Sequence, residues 1–210
     1  MTVAKGTNQY LDKLSAFLGE DAPKTLAFLG NADLLAAKRL AVFCSVTCPA
    51  SLILAAHDLA KALRASSAGH VVVSGFHSPV EKEVLTVLLG GTQPVAKVAA
   101  RGLEGMRVKR AYKGALKEGR LLFVSPFSAK HKRATAQGAL YRNHVVAALA
   151  DAVLFVHASA EGKTEALAKE VVAWGKPCFV LRSRHNAHLV GAGLIEVGAD
   201  EVSRALEETI

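Results

Sequence analysis

The residues with the clearest chemical potential are cations concentrated in about a quarter of the chain. From Lys97 to Arg142 there are twelve lysines and arginines but only two acids, Glu104 and Glu118. The formal charge of this segment is therefore +10, against +8 for the whole chain. Such asymmetry favours a polyanion or a phosphate-bearing ligand, although solvated helix faces would also account for it. The cations that we expect to contact such a polyanion are Arg107, Lys109, Arg110, Lys130, Lys132 and Arg133.

A second chemical feature is the turn Ala160-Glu-Gly-Lys-Thr-Glu165, between a predicted strand and a predicted helix. Gly162 lets the backbone approach a ligand, and the helix N-terminus presents free N–H groups beside Lys163 and Thr164. These features suit a phosphate. The alternative is an ordinary glycine turn in which Thr164 caps the helix. Neither of the two common glycine-rich phosphate-binding fingerprints occurs in the loops after the predicted strands.

Two further groups of residues could suggest catalysis or metal binding. His77 and Ser78 could act in hydrolysis, but serine followed by proline is also a common helix N-cap. Cys44, Cys48 and His57 have no matching ligand pair elsewhere in the sequence, so they do not form a recognisable metal motif. We therefore assign no catalytic residue, no metal and no cofactor, and we favour a binding protein over an enzyme.

Short apolar runs alternate with helical patterns and predict the framework that positions these residues. Continuous apolar runs are typical of strands buried on both faces of a parallel sheet. The sequence thus predicts an α/β fold, a Rossmann-like, doubly wound and mostly parallel sheet with helices on both faces. The sheet should have about six strands, at 40–44, 70–74, 94–98, 121–125, 152–156 and 177–181.

Helical periodicity places four long helices between these strands, over 51–65, 80–89, 135–150 and 164–174. The basic stretch 99–119 is expected to be a loop with a short helix. Leu14, Phe17 and Leu18 indicate an amphipathic helix near the N-terminus. We therefore divide the chain into a helical extension, residues 1–38, and a Rossmann-like domain, residues 39–210.

Ligands of open α/β sheets bind beyond the carboxyl ends of the strands, where the strand order reverses. The loops in those positions, with the start of the helix at 135–150, supply one predicted cleft. An arginine there can grip a phosphate with two donors, and an asparagine can fix a ligand edge. The predicted ligand-binding or phosphate-binding residues are Ser45, Gly75, His77, Ser125, Arg142, Asn143, Gly162, Lys163 and Thr164.

Composition bounds the class of protein and its compartment. Apolar residues make up 51% of the chain and charged residues 21%, which excludes a disordered chain. Three cysteines without a repeating pattern fit a reducing compartment. No signal peptide and no apolar run long enough for a membrane span are visible. We expect a cytoplasmic protein without a membrane association.

Six segments, in order along residues 23–181, resemble the DNA-processing protein A family (DprA, also called Smf). The resemblance implies a single-stranded DNA-binding protein that acts in DNA uptake and recombination. It also implies a RecA-type recombinase as a partner, and a homodimer. The segments are Pro23–Asn31, Leu40–Phe43, Val72–Gly75, Leu121–Phe127, Tyr141–His157 and Trp174–Val180.

Three loops depart from the family pattern. Cys44-Ser45-Val46 replaces Gly-Ser-Arg, so an arginine is absent, and Gly75–Glu81 keeps only the first glycine and the final acid of its loop. Loss of that arginine predicts weaker DNA binding. Glu161–Glu165 is closer to the turn of lysine-decarboxylase-like LOG proteins, which share the wider superfamily. The alternative function is therefore binding or hydrolysis of a small nucleotide-derived ligand.

Overall fold

All six predicted apolar runs form strands of one sheet in a computed structural model of the chain. The structure describes residues 4–5, 8–65 and 69–209, and the parts of the predicted extension at 1–3 and 6–7 lie outside them. The described strands are β1 (Ala4–Lys5), β2 (Ala27–Gly30), β3 (Arg39–Cys44), β4 (Val71–Ser74), β5 (Val95–Val98), β6 (Leu121–Ser125), β7 (Ala152–His157), β8 (Cys178–Leu181) and β9 (Ile195–Val197).

The strand order is β1-β2-β6-β5-β4-β3-β7-β8-β9. The seven strands from β6 to β9 are parallel to one another, whereas β2 runs antiparallel to β6 and β1 antiparallel to β2. The chain moves outward from β3 to β6 on one side and returns to place β7 on the other side of β3. The order therefore reverses between β3 and β7, and the predicted Rossmann-like class is confirmed.

Helices cover both faces of the sheet. One face packs against α1, α5, α6 and α7. The other packs against α2, α3, α4 and α8. The four long helices and the short helix predicted in the basic stretch are confirmed. The bounds are α1 (Asn8–Leu18), α2 (Ala50–Ala65), α3 (Pro79–Leu89), α4 (Arg110–Lys117), α5 (Ala136–Leu149), α6 (Lys163–Ala173), α7 (Ala187–Gly191) and α8 (Val202–Thr209).

The predicted number of strands was too low. Among the described residues there are nine strands, because β1, β2 and β9 are short strands at the two sides of the sheet. β2 has only two buried residues, and two of the three residues of β9 are exposed. Strands of that kind lack the continuous apolar run on which the prediction relied.

The predicted helical extension also contributes to the sheet. Within its described residues it forms α1 and also β2, and Leu14, Leu26 and Phe28 belong to the same buried cluster as α5. Lys13 pairs with Asp151, which also accepts hydrogen bonds from the Arg39 backbone N–H at 2.8 Å and Nε at 2.9 Å. The extension therefore packs directly on the sheet. The division at residue 38 stays a prediction.

No helix in the described part of the chain is long and apolar enough to cross a membrane.

Candidate functional site

A cavity of about 610 Å³ opens at the carboxyl ends of β4 and β5. It lies between the loop after β4, the loop from β5 to α4, and the first turns of α5. Its walls also carry three aromatic rings, Phe76, Tyr112 and Phe123. None of the described residues that line it is acidic. Six of them are cations, namely Lys82, Lys97, Arg101, Arg107, Lys109 and Arg142.

Arg142 on α5 is fixed against the loop after β4. Its Nη1 donates to the carbonyl of Val98 at 3.1 Å, and its Nε donates to Oδ1 of Asn143 at 2.8 Å. A Cβ on Gly75 would lie only 1.7 Å from Arg142 Nη1, so the guanidinium needs a glycine there. Burial lowers the pKa of Arg142, and the charge of Glu81 opposes that effect. The result is a buried cation held at the cavity wall.

Lys97 projects from β5 into the same wall. Its Nζ donates to the carbonyls of Gly75 at 2.8 Å and Phe76 at 3.3 Å, and it lies 5.3 Å from the centre of the Phe76 ring. Burial, with repulsion from Arg142, lowers the pKa of Lys97 to about 8. Lys97 therefore carries its charge at neutral pH and loses it at moderately alkaline pH.

The turn after β4 is strained and held from several sides. Phe76 has a φ of +48°, a left-handed conformation that costs a non-glycine residue on the order of 1–3 kcal/mol. Its N–H donates to Ser74 Oγ at 3.1 Å. Lys97 holds the carbonyl groups of the same turn. Strain that the surroundings maintain in this way is a frequent feature of ligand-binding turns.

Glu81 joins the loops that follow β3 and β4. Its carboxylate accepts hydrogen bonds from the N–H of Cys44 at 3.1 Å and of His77 at 2.7 Å. The N–H of Glu81 donates to Ser78 Oγ at 3.2 Å, and Pro79 follows as the first residue of α3. The helix-cap interpretation of Ser78 is confirmed. Glu81 and Ser78 therefore shape the loops beside the cavity.

A second group of cations lies on the loop between β6 and α5. Lys130, Lys132 and Arg133 are exposed. The loop is packed on the β5–α4 loop, because Gly102 N–H donates to the carbonyl of His131 at 2.9 Å. It leads directly into Ala134–Ala136, which form part of the cavity wall. These three cations, called the loop cations below, thus lie next in sequence to the cavity.

Most of the remaining cations of the basic segment also face solvent. Two of them, Arg107 and Lys109, line the cavity, whereas Arg110, Lys113 and Lys117 on α4 carry the positive charge beyond it. The exposed cations of this segment outside the loop cations are Arg107, Lys109, Arg110, Lys113 and Lys117.

The nine predicted ligand-binding residues do not all line this cavity. Gly75, His77 and Arg142 line it, and Asn143 orients Arg142. Ser125 is buried, with its Oγ donating to the carbonyl of Arg101 at 2.7 Å, so it fixes the neighbouring loop. The nine residues were predicted to border one cleft, but the structure places them at two separate positions along the sheet.

The other four predicted residues lie near the reversal point between β3 and β7. Ser45 Oγ accepts a hydrogen bond from Ser159 N–H at 3.0 Å, which joins the two loops. Gly162 is the N-cap of α6, and Lys163 and Thr164 form its first turn, so the alternative in which Thr164 caps the helix is wrong. A Cβ at Gly162 would lie 2.8 Å from the carbonyl oxygen of Ser159. The close packing of this turn therefore explains the glycine without a ligand. Ligand binding by all nine residues stays a prediction.

Sequence reasoning missed Lys82, Lys97, Phe76 and Tyr112 as cavity residues. The sequence does contain a signal for Lys97, because it is the one charged residue in an otherwise apolar predicted strand. Two further aromatic side chains, Phe127 and Tyr141, make contacts within the protein. Phe127 stacks on His131, and the Tyr141 hydroxyl donates to the carbonyl of Asp21 at 2.9 Å. Among the described residues, no group of three or more histidines, cysteines and acids could hold a metal ion.

Comparison with models of known protein families identifies the family of this chain. The model of the family described as DNA recombination-mediator protein A matches residues 2–208. The chain belongs to this family. A comparison with curated proteins finds no match.

Solved structures agree with this family in fold. DNA processing protein A from Streptococcus pneumoniae matches with a TM-score of 0.79 and 19% identity, over 98% of this chain and 74% of that one. DNA processing protein A from Helicobacter pylori, whose structure concerns its unique single-stranded DNA binding mode, matches with a TM-score of 0.78 and 20% identity, over 99% of this chain and 95% of that one. The molybdenum cofactor carrier protein from Chlamydomonas reinhardtii matches with a TM-score of 0.56 and 14% identity, over 82% of this chain and 98% of that one. The predicted family is thus confirmed.

Proposed function

We propose that this member of the DNA recombination-mediator protein A family binds single-stranded DNA through the basic cavity and the loop cations. The observation that carries the proposal is a cavity lined by six cations and, among the described residues, by no acid. Phosphates are attracted to such a surface whatever the sequence of bases. Aromatic rings beside a basic groove supply sequence-tolerant stacking for single-stranded bases.

The distribution of charge favours a strand over a small ligand. A mononucleotide needs two or three cations at its phosphate, and Lys97 and Arg142 in the cavity already provide two. The loop cations and the exposed cations of α4 are in addition to these. An extended electropositive surface is what a polyanion requires. Binding of a small nucleotide-derived ligand in the same cavity is the second candidate, supported by its volume, which is typical of small-molecule sites.

The family relationship supports two further parts of the proposal. We expect a RecA-type recombinase to be a partner, since the family is described as recombination mediators. We also expect a homodimer in the cytoplasm. Light scattering on the purified protein tests the homodimer, and co-precipitation with a RecA-type recombinase in the presence of single-stranded DNA tests the recombinase as a partner. Turnover is not expected, and no residue is assigned a catalytic role.

The test is a salt titration of DNA binding by fluorescence anisotropy of a labelled oligonucleotide between 50 and 200 mM salt. Replacing the three loop cations by alanine should flatten the slope of log affinity against log salt by about two units, at about 0.7 per phosphate contact on a single strand. A control variant removes three exposed cations from outside the basic segment, Lys24, Lys61 and Arg204. An unchanged slope in the loop variant would remove these residues from the interface.

A further inference from the structure

A groove between α3 and α4 adjoins the basic cavity. It has a volume of about 460 Å³, and three of its lining residues, Lys82, Lys109 and Tyr112, line the cavity as well. The two spaces are therefore neighbours across these three side chains. We call the second space the α3–α4 groove.

The α3–α4 groove combines apolar walls with cations at its junction to the cavity. Its apolar lining comes from Leu85, Leu89 and Ala111. Thr86 is exposed, and its hydroxyl donates to the carbonyl of Lys82 within α3, at 3.0 Å. None of the described residues that line this groove is acidic. This lining is suited to apolar base faces between phosphates that contact the two lysines.

Tyr112 connects the two spaces. Its ring contacts the ring of Phe123 edge-on, with 5.7 Å between centroids, so the sheet holds it in place. The side chain is only half-buried. A base that leaves the cavity would pass this ring, and stacking on an aromatic side chain contributes about 1–3 kcal/mol per base.

We infer that the α3–α4 groove binds a second stretch of the same single strand as it leaves the basic cavity across Lys82 and Lys109. The inference rests on the proposed function and adds the path of the strand to it. Two features of the molecule support it: the groove shares its cations with the cavity, and its uncharged walls do not repel a polyanion. The binding site of one protomer is then longer than the cavity alone.

Two thymidine oligonucleotides, one of four and one of twelve nucleotides, test the inference when compared in competition against a labelled strand. The short oligonucleotide fills the cavity, whereas the long one also reaches the α3–α4 groove. Thr86→Glu places a carboxylate in the groove, and Thr86→Gln is its uncharged control of similar size. Because like charges in an interface oppose binding, we expect Thr86→Glu to weaken the long oligonucleotide about tenfold. Binding of the short one should change less than about twofold, and Thr86→Gln should weaken the long one much less than Thr86→Glu does.

The outcomes separate this inference from the function on which it rests. Wild-type protein that binds neither oligonucleotide would overturn the proposed function and the inference together. Wild-type protein that binds the long oligonucleotide while Thr86→Glu leaves its affinity unchanged would overturn the inference alone. Equal weakening of both oligonucleotides would also contradict it, because it would show a general charge effect on the cavity. Circular dichroism of both variants confirms that each retains the wild-type fold.

Discussion

Substituting Gly75 by alanine tests the packing of the cavity wall. A Cβ at this position would lie 1.7 Å from Arg142 Nη1 and 2.0 Å from its Cζ, whereas ordinary van der Waals contact begins near 3.4 Å. The guanidinium would therefore have to move by about 1.5 Å, as judged from these distances. A shift of this size breaks at least one of the bonds from Arg142 to the Val98 carbonyl and to Asn143.

The expected cost follows from the hydrogen bonds that are lost. A bond to a charged group contributes about 1.5–3 kcal/mol, so Gly75→Ala should lower the free energy of unfolding by about that amount. In a protein that already carries Arg142→Ala, the same alanine meets no guanidinium and should cost less than about 0.5 kcal/mol. DNA affinity should fall in each variant, because Arg142 belongs to the cavity wall.

Urea unfolding of the single and double variants measures this coupling. Gly191→Ala is the matched control, since a Cβ there has no heavy atom within 4 Å, and it should leave stability within about 0.5 kcal/mol. If Gly75→Ala is as stable as the wild type, or if it costs as much with Arg142→Ala as without it, the contact between Gly75 and Arg142 does not constrain the site.

Two predictions concern pH. Because Lys97 is protonated below its pKa of about 8 and neutral above it, DNA affinity should fall as pH rises from 7 to 9. Anisotropy at constant ionic strength measures this, and Lys97→Arg should remove that part of the pH dependence; a wild-type affinity that stays constant would contradict a charged contact by Lys97. For Asp151, burial raises the pKa, but hydrogen bonds and charge from Arg39 and Lys13 prevail and lower it to about 2. A lowered carboxyl pKa stabilises the fold above the unfolded value near 4, so on the order of 1–2 kcal/mol should be lost as pH falls from about 4 to 2. Asp151→Asn should be less stable at pH 7 and lack this acid-dependent loss in urea unfolding; an identical acid profile would refute the ion pair's contribution.

The central strands could be predicted because their residues are buried on both faces. In β3 and β7 every residue is buried, which yields a continuous apolar run that the sequence displays directly. In β9 the pattern is lost, because Ile195 and Glu196 are exposed at the side of the sheet. A strand that packs on one side only, or pairs through its backbone alone, leaves too little signal in a single sequence.

The candidate site was predicted only in part, because the order of the strands is not visible in the sequence. Gly75 and Arg142 were placed at the carboxyl ends of the strands, and they do meet there. Gly162 was placed in the same cleft, but its loop follows β7, on the other side of β3 from β4 and β5. Which loops are neighbours depends on the strand order, and that order depends on the packing of the whole sheet.

The most direct test of the proposed function is a salt titration of the wild-type protein with single-stranded DNA. At about 0.7 per phosphate contact, three to six cations at the cavity together with the three loop cations predict a slope of log affinity against log salt of about −4 to −6. A mononucleotide in excess should compete only weakly, because it cannot reach the loop cations and the cavity together. No binding of the oligonucleotide at 50 mM salt, with tight binding of the mononucleotide, would contradict the proposal and favour a small-ligand protein.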